Sequence, residues 1–306
     1  MRVLQTDNGT RFGLFGERKK ISSPTFFVFA TSVDDMNKYE VYSETGRELA
    51  KQGWLYVTLD PPCHGRDAKK GEPPALSGWA HRVKNGEDLM TPFVKRCRDV
   101  LDWLVAEKYT DPGRIAVGGT SRGGFCALHF GAAEPRVKAI VCISPVTNPL
   151  VLREFAGVTP DRTAGIDVRS LADKLAGRPI WISIGNHDER VGTDDCIAAC
   201  RRFVAASRKK QPGAISPVEL IIAPSKGHSA IDKAYTRAAR FIVDAFDGDR
   251  PSLSFTVVEA GQMTMGKTAQ GGFDEKPAHT VRISRPFGIT SRVITNAEYE
   301  RFDPGH

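Results

Sequence analysis

Short, mainly apolar runs recur along this chain, the first of them continuous, and helical stretches lie between most of them. The runs are TFFVF at 25–29, LYVTL at 55–59, RIAVG at 114–118, AIVCI at 139–143, PIWISI at 179–184 and VELII at 218–222. A strand that is apolar throughout is buried on both faces. Such strands, joined by helices of about 10–20 residues, build βαβ units and a sheet covered on both sides. The expected fold is therefore α/β, a doubly wound, mostly parallel sheet. Residues 37–51 read as the first helix, ended by Gly53. Residues 88–109 read as an amphipathic helix with Val94, Cys97, Leu101, Leu104 and Val105 on one stripe. Helices are also expected over 121–133, 168–175, 194–207 and 228–246, and a hairpin over the first residues, turning at Asp7, Asn8 and Gly9. The βα pattern stops near residue 247, and residues 249–254 read as a linker to a β-rich remainder, 255–306.

Composition narrows the function classes. The chain has 306 residues, 41% of them hydrophobic and 26% charged, which suits a folded core rather than a disordered chain or coiled coil. No apolar run reaches the roughly 18 residues of a membrane helix, and residues 1–8 carry no export signal. A cytoplasmic location without a membrane partner is expected. The balance of 43 basic and 36 acidic residues gives a net charge of +7. The basic cluster of Arg201, Arg202, Arg208, Lys209 and Lys210 lacks interleaved aromatics, so it reads as a solvated helix face rather than a nucleic-acid site. Cys126 and Cys142 read as small core residues. Cys196 and Cys200 share a helix face, but zinc would need two further ligands, so no metal is expected. Cys63 falls in a loop expected to face the active site.

The third apolar run ends in GTSRGG at 119–124, and a helix follows at once. This is G-x-S-x-G at a strand-to-helix turn. The turn is so tight that side chains two before and two after the serine would collide, hence the glycines. Ser121 then projects alone at a helix N-terminus, where backbone N–H groups can hold a developing oxyanion. A serine hydroxyl needs a base, and the base needs a carboxylate to orient it. Asp188 lies just past the fifth run and His228 just past the sixth. Glu189, Asp194 and Asp195 are rival acids, and His187 is a rival base. The backbone N–H of Arg122, with that of Thr31 or Ser32 after the first run, is the expected oxyanion hole. His64, in DPPCHGRD at 60–67, is expected to shape the substrate pocket beside Cys63 rather than to catalyse. Trp79 and Met90 are further candidates for the cleft or for packing.

Residues 1–248 resemble the α/β-hydrolase superfamily, through GTSRGG at 119–124, DPPCHGRD at 60–67, GNHDERV at 185–191 and KGHS at 226–229. The likeness is closest to its prolyl oligopeptidase and dienelactone hydrolase-like branches. It implies Ser121 as nucleophile, Asp188 as acid and His228 as base, acting on a small-molecule ester or a peptide without a cofactor. Residues 255–306 resemble the opening of a formylglycine-generating (sulfatase-modifying) domain. The matching residues are Met263 to Gly266, Asp274 to Val281, Phe287 to Ile289 and Val293 to Phe302. Its catalytic cysteines have no counterpart here, so the chain reads as a fragment of a longer protein. A different class of function is also implied: an idle hydrolase-fold module that serves the C-terminal domain and its protein partner.

Overall fold

The computed structural model describes residues 1–247, 255–266 and 278–290. The chain divides into two compact units, Met1–Phe246 and Asp247–His306. The linker expected at 249–254, and motif residues 274–277 and 293–302, lie outside the described residues.

The first unit is built on eight strands. They are β1 (Arg2–Gln5), β2 (Arg11–Phe15), β3 (Ser23–Phe29), β4 (Leu55–Thr58), β5 (Thr110–Thr120), β6 (Val137–Ile143), β7 (Ile180–Gly185) and β8 (Val218–Ala223). Their order across the sheet is β1-β2-β4-β3-β5-β6-β7-β8. Strands β3 to β8 pair in parallel, and the β1–β2 hairpin joins β4 antiparallel. All six apolar runs are strands.

Period-two alternation sends the side chains of each strand into two cores. Phe27 and Phe29 of β3 enter one core, and Phe26 and Val28 the other. Ile180, Ile182 and Ile184 of β7 likewise oppose Trp181. The larger core is closed by α3 (Ala75–Lys84), α4 (Thr91–Ala106), α5 (Arg122–Ala133) and α8 (Thr193–Lys210). The smaller is closed by α1 (Val33–Lys38), α2 (Glu44–Ala50) and α9 (Ala234–Asp247). The segment between β6 and β7 holds 3-10 turns with the short helices α6 (Pro160–Thr163) and α7 (Ala172–Leu175). Edge strand β8 has one neighbour, which leaves Ile222 exposed.

Several boundaries differ from the sequence expectation. Residues 37–51 form two helices separated by a 3-10 turn, because Tyr39 is extended. The last helix starts at Ala234 rather than at 228, after Lys233 takes a positive φ of 55°. Helix α3 occupies a stretch expected to be loop. Its Trp79 is fully buried, and the indole N–H donates to the Pro62 carbonyl at 2.6 Å. Met90 is buried as well, so both residues pack in the core. The Arg and Lys cluster on α8 is exposed.

In the second unit β10 (Gly261–Met265) pairs antiparallel with β11 (His279–Ile283), setting Met263 opposite Val281. Strand β9 (Phe255–Val258) pairs antiparallel with β12 (Phe287–Thr290). Met263, Met265, Phe287 and Ile289 are exposed. No helix among the described residues is long and apolar enough to cross a membrane.

Candidate active site

β5 delivers Ser121 to the carboxyl edge of the sheet, and α5 starts at the next residue. Ser121 has φ 55° and ψ −120°, a conformation that side chains rarely adopt and that costs about 1–3 kcal/mol. The two glycines of the motif meet more than each other. A Cβ on Gly119 would lie 2.4 Å from both the Gly123 carbonyl carbon and the Phe29 carbonyl oxygen. One on Gly123 would lie 1.7 Å from that same Phe29 oxygen. The end of β3 therefore presses directly on the turn, and the following loop, residues 30–32, lies beside Ser121.

The three residues expected at successive strand ends come together. The Ser121 hydroxyl and His228 Nε2 are 2.9 Å apart. His228 Nδ1 lies 2.8 Å from Asp188 Oδ2. A carboxylate only accepts, so Nδ1 carries the proton and Nε2 is free to accept from the serine. The Asp188 side chain is fully buried and the His228 side chain is 28% exposed. Asp188 Oδ1 accepts the N–H groups of Arg190 at 3.1 Å and Val191 at 3.3 Å. Its own N–H donates to Thr193 Oγ1 at 3.0 Å, and that hydroxyl donates to the Gly185 carbonyl at 2.8 Å. The loop that carries Asp188 is thus tied to the end of β7. The His228 loop packs closely on it, since a Cβ on Gly185 would lie 1.9 Å from Ser225 Oγ.

The rival residues point elsewhere. His187 and Glu189 are solvent-exposed and pair with each other at 3.2 Å. Asp195 accepts from Asn148 Nδ2 at 2.8 Å. Asp194 sits in the first turn of α8.

Two loops frame the serine. In residues 30–33, Ala30 accepts a bond from Arg122 Nε at 2.7 Å. The Thr31 and Ser32 hydroxyls both donate to Asp35 Oδ2. Among the described residues no protein acceptor takes the backbone N–H of Thr31, Ser32 or Arg122. Residues 60–67 form the second loop. Cys63 has a positive φ of 59° and is buried, its thiol 2.9 Å from where a Cβ on Gly78 would stand. Burial pushes that thiol up to about 12, which keeps it protonated and inert. The loop is fastened by Arg82, which binds Asp67 at 2.7 Å and Glu72 at 2.6 Å with all three side chains nearly buried. The bonds from Arg82 hold the Glu72 carboxyl at about 2. Neither α3 nor this arginine network was read from the sequence. The spacing of Leu76, Trp79, Ala80 and Val83 was the signal for the helix.

His64 is buried, and its Nδ1–H donates to the Pro62 carbonyl at 2.8 Å, while Nε2 has no partner among the described residues. Burial holds His64 at about 4, below the usual 6.5, and does the same to His129 on α5. Between those values the unfolded chain binds protons that the native state excludes. Stability is therefore fully present above about pH 6.5 and falls as pH drops toward about 4, by on the order of 3 kcal/mol per histidine. His129 Nε2 donates to the Ile166 carbonyl at 3.0 Å. His129→Gln, whose amide can still donate there, is expected to lose one such contribution. Urea midpoints at about pH 7 and pH 4 will differ less in that variant than in the unsubstituted chain.

The comparisons with known proteins bear on the fold. A family model described as the alpha/beta hydrolase fold matches residues 34–163. Comparison with the curated proteins returns no sequence match. Among solved structures, a Thermus thermophilus protein is similar at 16% identity and TM-score 0.59, over 81% of this chain and 99% of that one. Acetyl xylan esterase 1 from Thermoanaerobacterium is similar at 16% identity and TM-score 0.57, over 80% and 82% of the two chains. Porphyromonas gingivalis dipeptidyl peptidase 4 is similar at 17% identity and TM-score 0.55, over 79% of this chain but 35% of that one. Strand order, crossover pattern and these likenesses agree: the first unit of this chain has the α/β-hydrolase fold.

Proposed function

We propose that the chain is a serine hydrolase that cleaves an ester or amide through an acyl-serine, using Ser121, His228 and Asp188 as its triad. The observation that carries this reading is the unbroken bond chain from Ser121 Oγ to His228 Nε2 (2.9 Å) and from His228 Nδ1 to Asp188 Oδ2 (2.8 Å). In the mechanism, His228 Nε2 takes the hydroxyl proton as Ser121 Oγ attacks the carbonyl carbon. Asp188 orients the ring and stabilises its charged form. The negative oxygen of the tetrahedral intermediate is held by the N–H of Arg122 together with that of Thr31 or Ser32. His228 then gives its proton to the leaving alcohol or amine, and the acyl-serine forms. Water, deprotonated by His228, attacks the acyl carbon; the proton returns to Ser121 and the acid departs. No step calls for a metal or organic cofactor.

Structural neighbours named as an acetyl xylan esterase and a dipeptidyl peptidase support acyl chemistry on small-molecule or peptide substrates. Cys63 and His64 shape the substrate pocket through the loop that they build. Turnover of p-nitrophenyl esters against aminoacyl p-nitroanilides tests the reading. Saturable hydrolysis of either series is expected, and of neither would contradict it. For residues 255–306 we propose a formylglycine-generating-type domain, on the likeness of Met263 to Gly266 and Phe287 to Ile289 to the opening residues of that family. A protein partner is the proposed occupant of that unit.

A further inference from the structure

We propose that Asp60 is a positioning residue for the oxyanion hole: it fixes the backbone of residues 30–33 so that the N–H of Thr31 or Ser32 meets the reacting oxygen. This rests on Ser121 being the nucleophile. Asp60 follows β4 and is buried, at 6% exposure. Its Oδ1 accepts the N–H of Val33 at 2.7 Å, and its Oδ2 accepts the N–H of Arg66 at 3.1 Å. One carboxylate therefore joins the two loops that frame the serine. Strands β3 and β4 are parallel neighbours, Phe27 opposite Val57, so both loops open from the same edge. That topology brings together two residues 27 positions apart.

The donor loop is held at both ends. Arg122, the residue after the nucleophile, holds the Ala30 carbonyl at 2.7 Å. Asp60 holds the Val33 N–H. Thr31 and Ser32 lie between the two pins, with their hydroxyls drawn off to Asp35 and their backbone N–H groups left over. The carboxylate is itself confined. Gly65 has φ 52°, and a Cβ there would lie 2.4 Å from Asp60 Oδ1. Arg96 Nη2 donates to the Asp60 carbonyl at 3.0 Å. An asparagine is no substitute, because the site presents two N–H donors and, 3.9 Å from Oδ2, the Arg11 guanidinium, and an amide loses the charge and turns a donor of its own toward one of them.

The test removes the Val33–Asp60 bond from either side in the full chain. Asp60→Asn disturbs the acceptor. Val33→Pro deletes the donor: Val33 is the first residue of α1, a position that tolerates proline, and Ser32 already has φ −60° and ψ 156°, suited to a following proline. Each variant is expected to lower kcat on a short p-nitrophenyl ester by about 10- to 100-fold, with KM within about twofold. A phenylboronic acid, which forms a tetrahedral adduct, should weaken by the same factor as kcat/KM. The pH dependence of kcat/KM should keep its midpoint, since the His228–Asp188 pair is untouched. The double variant should fall no further than either single one. If Asp60→Asn does not fold, Val33→Pro decides alone. A kcat within about threefold of normal, a loss confined to KM, or a shifted pH midpoint overturns the inference. Activity surviving in Ser121→Ala would instead overturn the underlying reading of the site.

Discussion

Ser121→Ala is expected to lower kcat by about 10⁴–10⁶-fold and to leave the fold intact. The rate loss follows because Ser121 supplies the one hydroxyl or thiol hydrogen-bonded to His228 Nε2 among the described residues. Cys63, the thiol in the neighbouring loop, is buried and protonated and cannot take over. The fold survives because the serine hydroxyl bonds, among the described residues, to a histidine that is partly open to water. Its backbone N–H continues to donate to the Ile143 carbonyl at 2.9 Å. Thermal melting should shift by no more than about 2 °C, because alanine keeps the same backbone conformation and the same Cβ. Parallel hydrolysis and melting measurements check both halves. A variant that is inactive because it is unfolded would show itself in the melt.

The largest stability effect is expected at a residue with no side chain. In Gly123→Ala the new Cβ would lie 1.7 Å from the Phe29 oxygen, 2.3 Å from the Phe29 carbonyl carbon and 2.8 Å from the Ala30 nitrogen. All three are backbone atoms, so no flexible side chain can give way. Phe29 is paired with Gly119 in the β3–β5 ladder, and the helix that carries Gly123 is packed at 0% exposure along Phe125, Cys126, Ala127 and Leu128. One of these two fixed bodies must move. The cost should reach about 3 kcal/mol or more, a fall in melting temperature of about 6–12 °C for a unit of this size. Activity should disappear even in the fraction that folds, because a displaced β3 end carries the Thr31–Ser32 loop with it. Gly165→Ala is the control. Its Cβ would meet nothing within 4 Å and its φ is not in the left-handed region, so a change within about 0.5 kcal/mol is expected.

What sequence made legible, and what it did not, follows from the range of the interactions involved. The first five runs announced their strands because burial on both faces favours apolar residues along the whole strand, whereas β8, at the sheet edge, keeps Glu219 and Ile222 exposed. The elbow was legible because its glycines are demanded within five residues, although the structure adds the Phe29 carbonyl as the atom they both avoid. Asp188 and His228 could be read because each lies just beyond a recognisable strand. Helix α3 was hidden by the prolines and glycines around it, even though Leu76, Trp79, Ala80 and Val83 keep helical spacing. The expected start of the last helix at 228 gave way to tertiary demand: the His228 ring has to reach both Asp188 and Ser121, and the chain turns through Gly227 at φ 57° and Lys233 at φ 55° before α9 begins. The Asp60–Val33 bond had no local signature at all. It exists because β4 lies next to β3, a matter of sheet order that spacing along the chain does not encode.

The central claim is that Ser121 is a nucleophile activated by His228. Incubation of the full chain with a fluorophosphonate, followed by peptide mass mapping, tests it without knowledge of the natural substrate. A single adduct on the peptide that contains Ser121 is expected, with the labelling rate reduced by about 10³-fold or more in His228→Ala. No adduct, an adduct on another residue, or labelling that is indifferent to His228 would contradict it.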